Sequence, residues 1–336
     1  MPSRPDPRFL AVFLLVPGLA CAAGFEVAQV PVARGLDEAP MRIGLWYPPA
    51  RDPQETPPPL FGRALAVDAP LAEGRHPLIV LSHGQGSWMG NHADTAAALA
   101  DAGFIVAVPE HPGDTRGDDH AVPAQWLVTR PADLSATIDY LTGPWPGAGG
   151  VDAGRIGVLG FGTGGYGALV AGGGLPDLDL AKSFCAGNPR EYACRAGMLD
   201  GVKPAEIEPG LEAAAGDGRI GAIAVVAPIL GFAFGPLDLA AVEAPVQIWS
   251  GGLDLRAPHN TNGALIAAGL PMAADVHQVE GAAHASFSQP CYAGMQAAMP
   301  SYWAMSCQDA PDFDRPAFLE EMAATLARFF DKALKR

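Results

Sequence analysis

Apolar and polar positions fall in blocks along the chain, and the blocks change period. Residues 25–34 and 41–47 read as two short strands joined by a turn, and the proline-rich residues 48–59 read as surface loop. Residues 77–81 (PLIVL) are continuously apolar and end in Ser82, His83 and Gly84, the pattern of a strand buried on both faces. An alanine-rich helix is predicted over 92–102 and a second buried strand over 104–108 (FIVAV). The next helix is predicted over 129–141, with Pro131 in its first turn, where a missing N–H does no harm. Residues 155–159 (RIGVL) form another strand, which runs into GFGTGG at 160–165 and a helix from about Tyr166. Between 172 and 218 the periodicity is poor, which predicts an inserted loop or cap. Strands resume at 220–226 and 246–250, a helix covers 262–270, and a last strand near 276–279 leads to Gly281 and His284. In the C-terminal helix Phe318, Met322, Leu326, Phe329 and Phe330 share one face.

This alternation predicts an α/β fold: a doubly wound, mostly parallel sheet with helices on both faces, forming a single domain over residues 24–336. Ligands of such sheets bind at the carboxyl ends of the strands, which is where the polar motifs of this chain lie.

Composition narrows the setting. Of 336 residues, 49% are hydrophobic and 17% charged, enough for a large core. Twenty-one Lys and Arg against 36 Asp and Glu leave −15, and no basic cluster is visible, which argues against a nucleic-acid or anionic-membrane partner. Arg4 and Arg8, an apolar run over 9–20 and the small residues Ala20, Cys21 and Ala22 read as a secretory signal over residues 1–23. The expected location is therefore periplasmic or secreted. Removing Arg4, Arg8 and Asp6 with the signal leaves about −16 on the mature chain. Cys21 as a lipid anchor is the lesser alternative, since Gly18 stands where an aliphatic residue belongs. No later stretch is long enough to span a bilayer.

Beyond the signal, Cys185, Cys194, Cys291 and Cys307 make an even set, as an oxidising compartment permits. Three pairings exist. The sequence-local one, Cys185–Cys194 and Cys291–Cys307, is expected because each pair brackets a short loop-like segment, and the longer bridge contributes about 3 kcal/mol in the chain-entropy model. No CxxC spacing occurs, so neither a zinc nor a redox motif is indicated, and no cofactor is expected.

The chemistry centres on Gly160, Phe161, Gly162, Thr163 and Gly164. Acyl transfer needs a nucleophile, a base and a group that orients the base, and a common device places the nucleophile in G-x-S-x-G on a sharp strand-to-helix turn. Here the flanking glycines, strand and helix are present and the serine is not: Gly162 occupies its place. Asp254 follows a strand, and His284 follows the last one, in the order that the acid and base require.

Taken with further stretches, the chain resembles the predicted dienelactone hydrolase and platelet-activating-factor-acetylhydrolase-like group of bacterial α/β-hydrolases. The matching stretches are residues 45–48 (LWYP), 77–84 (PLIVLSHG), 108–114 (VPEHPGD), 130–133 (RPAD), 156–160 (IGVLG), 164–166 (GGY) and 281–287 (GAAHASF). The resemblance spans roughly residues 40–330. It implies an α/β-hydrolase fold, a Ser-His-Asp triad and hydrolysis of small esters or lactones. Carried over, Gly162 stands at the nucleophile, Asp254 at the acid and His284 at the base, and the backbone N–H groups of Gln85 and Thr163 form the oxyanion hole.

Glycine cannot form an acyl-enzyme, so three outcomes are open: a non-catalytic ligand- or partner-binding protein, hydrolysis by a water that His284 activates, or rescue by the Thr163 hydroxyl. Gly160, Gly162 and Gly165 also spell G-x-G-x-x-G, a dinucleotide fingerprint, but Asp177 and Asp179 do not end a strand as that motif requires. His83 and His111 are pocket candidates. His83 could instead hold the oxyanion loop, while His111 with Asp114 could shape the pocket or bind a metal. His259 is a rival base, and Asp254 could simply pair with Arg256. Trp88, Trp126 and Phe287 could line an acyl pocket or belong to the core.

Overall fold

The computed structural model describes residues 23–31, 40–50, 59–292 and 294–335. The signal segment with Cys21, the turn after the first strand and most of the proline-rich stretch lie outside the described residues.

Of the eleven strands among the described residues, eight stand in the predicted order, and three two-residue strands between residues 59 and 67 were not expected. β1 (Gly24–Val30) and β2 (Met41–Tyr47) pair antiparallel, β3 (Pro59–Leu60) and β4 (Arg63–Ala64) form a small hairpin, and β5 (Ala66–Val67) adds to β1. The body comprises β6 (His76–Ser82), β7 (Ile105–Pro109), β8 (Val151–Phe161), β9 (Ile220–Val226), β10 (Val246–Gly251) and β11 (Asp275–Val279). These join in one nine-stranded sheet of order β11-β10-β9-β8-β6-β7-β2-β1-β5, parallel from β11 to β7. β7 is buried along its whole length, as are the last five residues of β6, because helices cover both faces there.

The helices are α1 (Ala93–Asp101), α2 (Pro123–Thr142), α3 (Thr163–Ala171), α4 (Leu178–Gly187), α5 (Tyr192–Arg195), α6 (Pro204–Ala214), α7 (Gly263–Gly269), α8 (Met295–Ala298), α9 (Pro300–Ser306) and α10 (Arg315–Ala333). Every residue of α3 is buried, while α10 buries Leu319, Met322, Leu326 and Phe330 and leaves Phe318 and Phe329 half-covered. None of the described helices is long and apolar enough to cross a membrane.

Three expectations need correction. α2 begins at Pro123, six residues before the predicted start, so Pro131 lies inside the helix. Pro123 supplies a first-turn residue that needs no donor, and Gln125 Oε1 accepts the Val122 N–H at 3.1 Å. Of the inserted loop or cap expected over residues 172–218, the loop alternative is set aside, since α4, α5 and α6 occupy most of the segment. Asp177 caps α4 by accepting the Leu180 N–H, and Pro204 opens α6. The segment bracketed by Cys291 and Cys307 is likewise helical, in α8 and α9. Helices of four to eleven residues give too few turns for a clear period, and packing and cross-links hold them.

Both disulfides, Cys185–Cys194 and Cys291–Cys307, are formed in the sequence-local pairing. They are consistent with a compartment outside the cytoplasm.

Candidate active site

The chain winds outward from β6 to β7 and then returns to place β8 on the other side of β6. At such a reversal the loops after the two strands part and open a crevice. The loop after β6 carries Gln85, and the turn after β8 carries Gly162.

That turn is fixed by space and by conformation. A Cβ on Gly160 would collide with the backbone of Gly164, and one on Gly164 with the Ser82 carbonyl, so both flanking positions have no room for a side chain. Gly162 is glycine for a different reason. Its backbone stands at φ 57° and ψ −118°, a region that side-chain-bearing residues rarely adopt, yet a Cβ there would meet nothing closer than His284 Nε2 at 3.6 Å. The Gly162 N–H donates to Val226 O at 3.0 Å and its carbonyl accepts the Ile229 N–H at 3.1 Å, which holds the bend from the side of β9.

His284 and Asp254 meet at this turn. His284 Nδ1 and Asp254 Oδ2 lie 2.8 Å apart, and the other carboxylate oxygen accepts the backbone N–H groups of Arg256 and Ala257, each at 2.8 Å. Burial pushes the Asp254 pKa up, but the His284 hydrogen bond and charge and the two backbone donors outweigh it and hold the carboxyl below its usual range. Asp254 is thus an ionised acceptor for imidazole, and it meets Arg256 through backbone rather than guanidinium. The Phe161 ring packs against the His284 ring, with centroids 4.8 Å apart, and against the His92 ring at 4.7 Å.

The cleft over Gly162 has a volume of about 300 Å³, the lower end of the range for small-ligand sites. Gln85, Thr163, Trp88 and His284 line it. Neither the Gln85 nor the Thr163 backbone N–H donates to another group among the described residues. The inserted segment contributes Tyr192 and Met198 to the wall, and the second disulfide loop contributes Met299 and Tyr302. Two guanidiniums face the same space: Arg116 lies over the Trp88 ring at 5.4 Å and Arg256 over Tyr192 at 5.6 Å. Neither has a carboxylate partner among the described residues. Sequence reasoning missed these wall residues, which come from segments far apart in the chain; only the tyrosines inside the two disulfide loops, Tyr192 and Tyr302, offered a hint.

Other candidates are placed elsewhere. His83, His111 and Phe287 are wholly buried and do not line the cleft, which corrects their reading as pocket residues. His111 Nδ1 pairs with Asp133 Oδ2 at 2.7 Å and its Nε2 with Ser82 Oγ at 2.8 Å, and Asp114 accepts from Arg130, so both are engaged within the protein rather than poised for a metal. No group of three potential metal ligands gathers among the described residues. Phe287 packs on Phe318, and Trp126 on Tyr166, as core residues do. His259 approaches Ser250 Oγ at 3.0 Å and the Gln278 amide at 3.1 Å instead of Asp254. The Thr163 hydroxyl is buried and has no hydrogen-bond partner among the described residues. Asp177 and Asp179 are exposed at the start of α4, where no strand ends.

Two buried imidazoles tie stability to pH. Burial, then the charge of Arg130, lowers the His83 pKa to about 3, and burial lowers that of His92 to about 4 against the hydrogen bond its ring donates to the Phe287 backbone carbonyl. In the unfolded chain both protonate near pH 6.5. Between about pH 4 and 6.5 the unfolded state therefore binds more protons, so their contribution is complete above that window and is lost as pH falls through it. Going from pH 7 to 5 is expected to remove on the order of 4 kcal/mol, read as a lower urea midpoint. A midpoint that holds or rises would contradict neutral buried rings.

No family model and no curated protein matches this chain. Among solved structures it is similar to the ferulic acid esterase from Streptomyces cinnamoneus, with a TM-score of 0.66 and 19% identity over 96% of this chain and 92% of that one. The fold is of the α/β-hydrolase type. At this identity the likeness speaks for the architecture alone.

Proposed function

We propose that this is an exported protein whose cleft binds a small carboxylic ester or lactone and hydrolyses it directly with water. The observation that carries the reading is the Asp254–His284 pair aimed at a position with no side chain. The space where a hydroxymethyl group would project is open, with His284 Nε2 3.6 Å from the Cβ position. One water fits such a space. His284 takes a proton from that water as its oxygen attacks the ester carbonyl carbon. The carbonyl oxygen gains the negative charge and is held by the Gln85 and Thr163 N–H groups. When the intermediate collapses, the C–O bond to the alcohol breaks and the imidazolium returns the proton to the leaving oxygen. The products are one carboxylic acid and one alcohol, or a hydroxy acid from a lactone.

The rate is modest, because triad enzymes stripped of their nucleophile keep roughly 10³-fold acceleration over water from the rest of the site. Arg116 and Arg256 favour an ester bearing its own negative charge. Purified protein is expected to hydrolyse short p-nitrophenyl esters above the buffer rate, with a lower KM for a carboxylated ester than for a neutral one, and His284→Ala is expected to abolish the excess. No turnover above buffer, or turnover that survives His284→Ala unchanged, rejects the proposal.

Gly162 itself favours a second reading, a catalytically silent homologue that holds a ligand or partner. It expects saturable ligand binding with no turnover, whereas both readings expect the wild type to resist a fluorophosphonate probe. Labelling by that probe would reveal a live nucleophile and contradict both.

A further inference from the structure

Beneath the cleft lies a buried polar cluster that the hydrolytic step does not touch. Arg130, on α2, is fully buried, as are Ser82, His83 and His111, while Asp114 and Asp133 are nearly so. A buried ion pair is a poor source of stability, since desolvation offsets most of its Coulomb gain, so its hydrogen bonds show what it is for. Arg130 Nε donates to Asp114 Oδ2 at 2.7 Å, Nη1 to the His83 carbonyl at 2.6 Å and Nη2 to the Gly84 carbonyl at 3.2 Å. The other oxygen of Asp114 accepts the Gly86 N–H at 2.9 Å. One ion pair thus grips the chain on both sides of Gln85.

Gly84 C=O and Gln85 N–H belong to a single planar trans peptide, so they point in opposite directions. The Gly84 oxygen is drawn inward by Arg130, by His83 Nδ1 at 2.8 Å and by the Ser87 N–H at 3.1 Å. The Gln85 N–H must then face the cleft. We infer that Arg130 and Asp114 are positioning residues that aim the Gln85 N–H at the developing oxyanion. Arg130 does so from α2, a twenty-residue helix, and Asp114 from the loop after β7, so through Arg130 a loop donor acquires the rigidity of a helix.

The Ser82–His111–Asp133 array completes the support. It has the composition of a catalytic triad, but all three side chains are sealed from solvent, and Arg130 Nη1 also reaches Ser82 Oγ at 3.4 Å. Its place is under the loop. The neutral His83 ring, with its proton on Nδ1, serves the same carbonyl.

The inference rests on the proposed hydrolytic site, and its test separates the two. Arg130→Lys and Asp114→Asn are made in the Gly162→Ser background and assayed with a p-nitrophenyl ester and its thionoester counterpart. Loss of one oxyanion donor typically costs about 10²-fold in kcat, so a fall of at least about tenfold is expected, with KM changed by less than about twofold. The ester-to-thionoester rate ratio falls as well, because sulfur accepts hydrogen bonds poorly and gains little from the donor. A kcat within about twofold of the parent in a folded variant, or a loss confined to KM, overturns the inference. Should Arg130→Lys fail to fold, the near-isosteric Asp114→Asn carries the test. Crystal structures of the same substitutions in the wild-type background give a readout that needs no activity. The Gly84–Gln85 peptide is expected to rotate away from the cleft, and an unchanged peptide overturns the inference. If Gly162→Ser is itself inactive, the hydrolytic proposal fails and the peptide orientation alone decides the clamp.

Discussion

Gly162→Ser is expected to raise ester hydrolysis by up to about 10⁶-fold, since that is the order of turnover a triad loses with its nucleophile. The Cβ would sit 3.6 Å from His284 Nε2 and 3.8 Å from Gly84 Cα, ordinary contact distances, so no neighbour has to move. Oγ lies one bond farther out, within hydrogen-bond reach of the imidazole. The gain carries a conformational penalty. Serine at φ 57° and ψ −118° is strained, and the bend is held by Val226 and Ile229, so it cannot relax without losing those hydrogen bonds. A stability loss of about 1–3 kcal/mol is expected alongside the gain, read from denaturant midpoints. Burst kinetics and labelling by a fluorophosphonate would mark the new acyl-enzyme step. An increase below about tenfold in a protein that still folds would show that Asp254 and His284 are not set for catalysis at this turn.

In that serine-bearing background Asp254→Asn is expected to lower kcat by about 10⁴-fold. The reason lies in which oxygen does what. Asp254 Oδ1 is fixed by the backbone N–H groups of Arg256 and Ala257, and Oδ2 faces His284 Nδ1. An asparagine must keep its carbonyl oxygen toward the two backbone donors, which turns its NH2 toward Nδ1. The ring then shifts its proton to Nε2 and can no longer accept one from Oγ. Protein stability should change far less than activity, because the backbone contacts survive. A kcat loss of less than tenfold would mean that His284 draws its orientation from elsewhere.

The parts of the site legible in the sequence were those with local rules. The glycines around position 162 mark a tight turn: a Cβ at 160 would strike Gly164 within five residues, although the one at 164 is excluded by the distant Ser82 carbonyl. Asp254 and His284 stand directly after strands, so strand order alone brought them to one edge of the sheet. The elements that escaped were short or interrupted. α2 carries Pro131 in its interior, against the usual meaning of proline, and α4 to α6 span too few turns to show a period. His111 and Asp114 were read as pocket or metal candidates because sequence shows residue type but not which way a side chain turns. In the fold both turn inward, to Asp133 and Ser82 and to Arg130.

By itself the sequence determined a parallel α/β sheet with its chemistry at the strand ends, a serine-less turn at Gly162, and two cysteine pairs close enough along the chain to bridge locally. Hydrophobic period and the spacing of glycines in a tight turn are near-neighbour properties, so they survive in a linear string. Tertiary structure alone decided the cleft's arginine and aromatic walls, the aim of His284 and the grip of Arg130 and Asp114 on the loop at Gln85. Those depend on contacts between residues tens of positions apart, whose geometry exists only once the sheet has closed over its core.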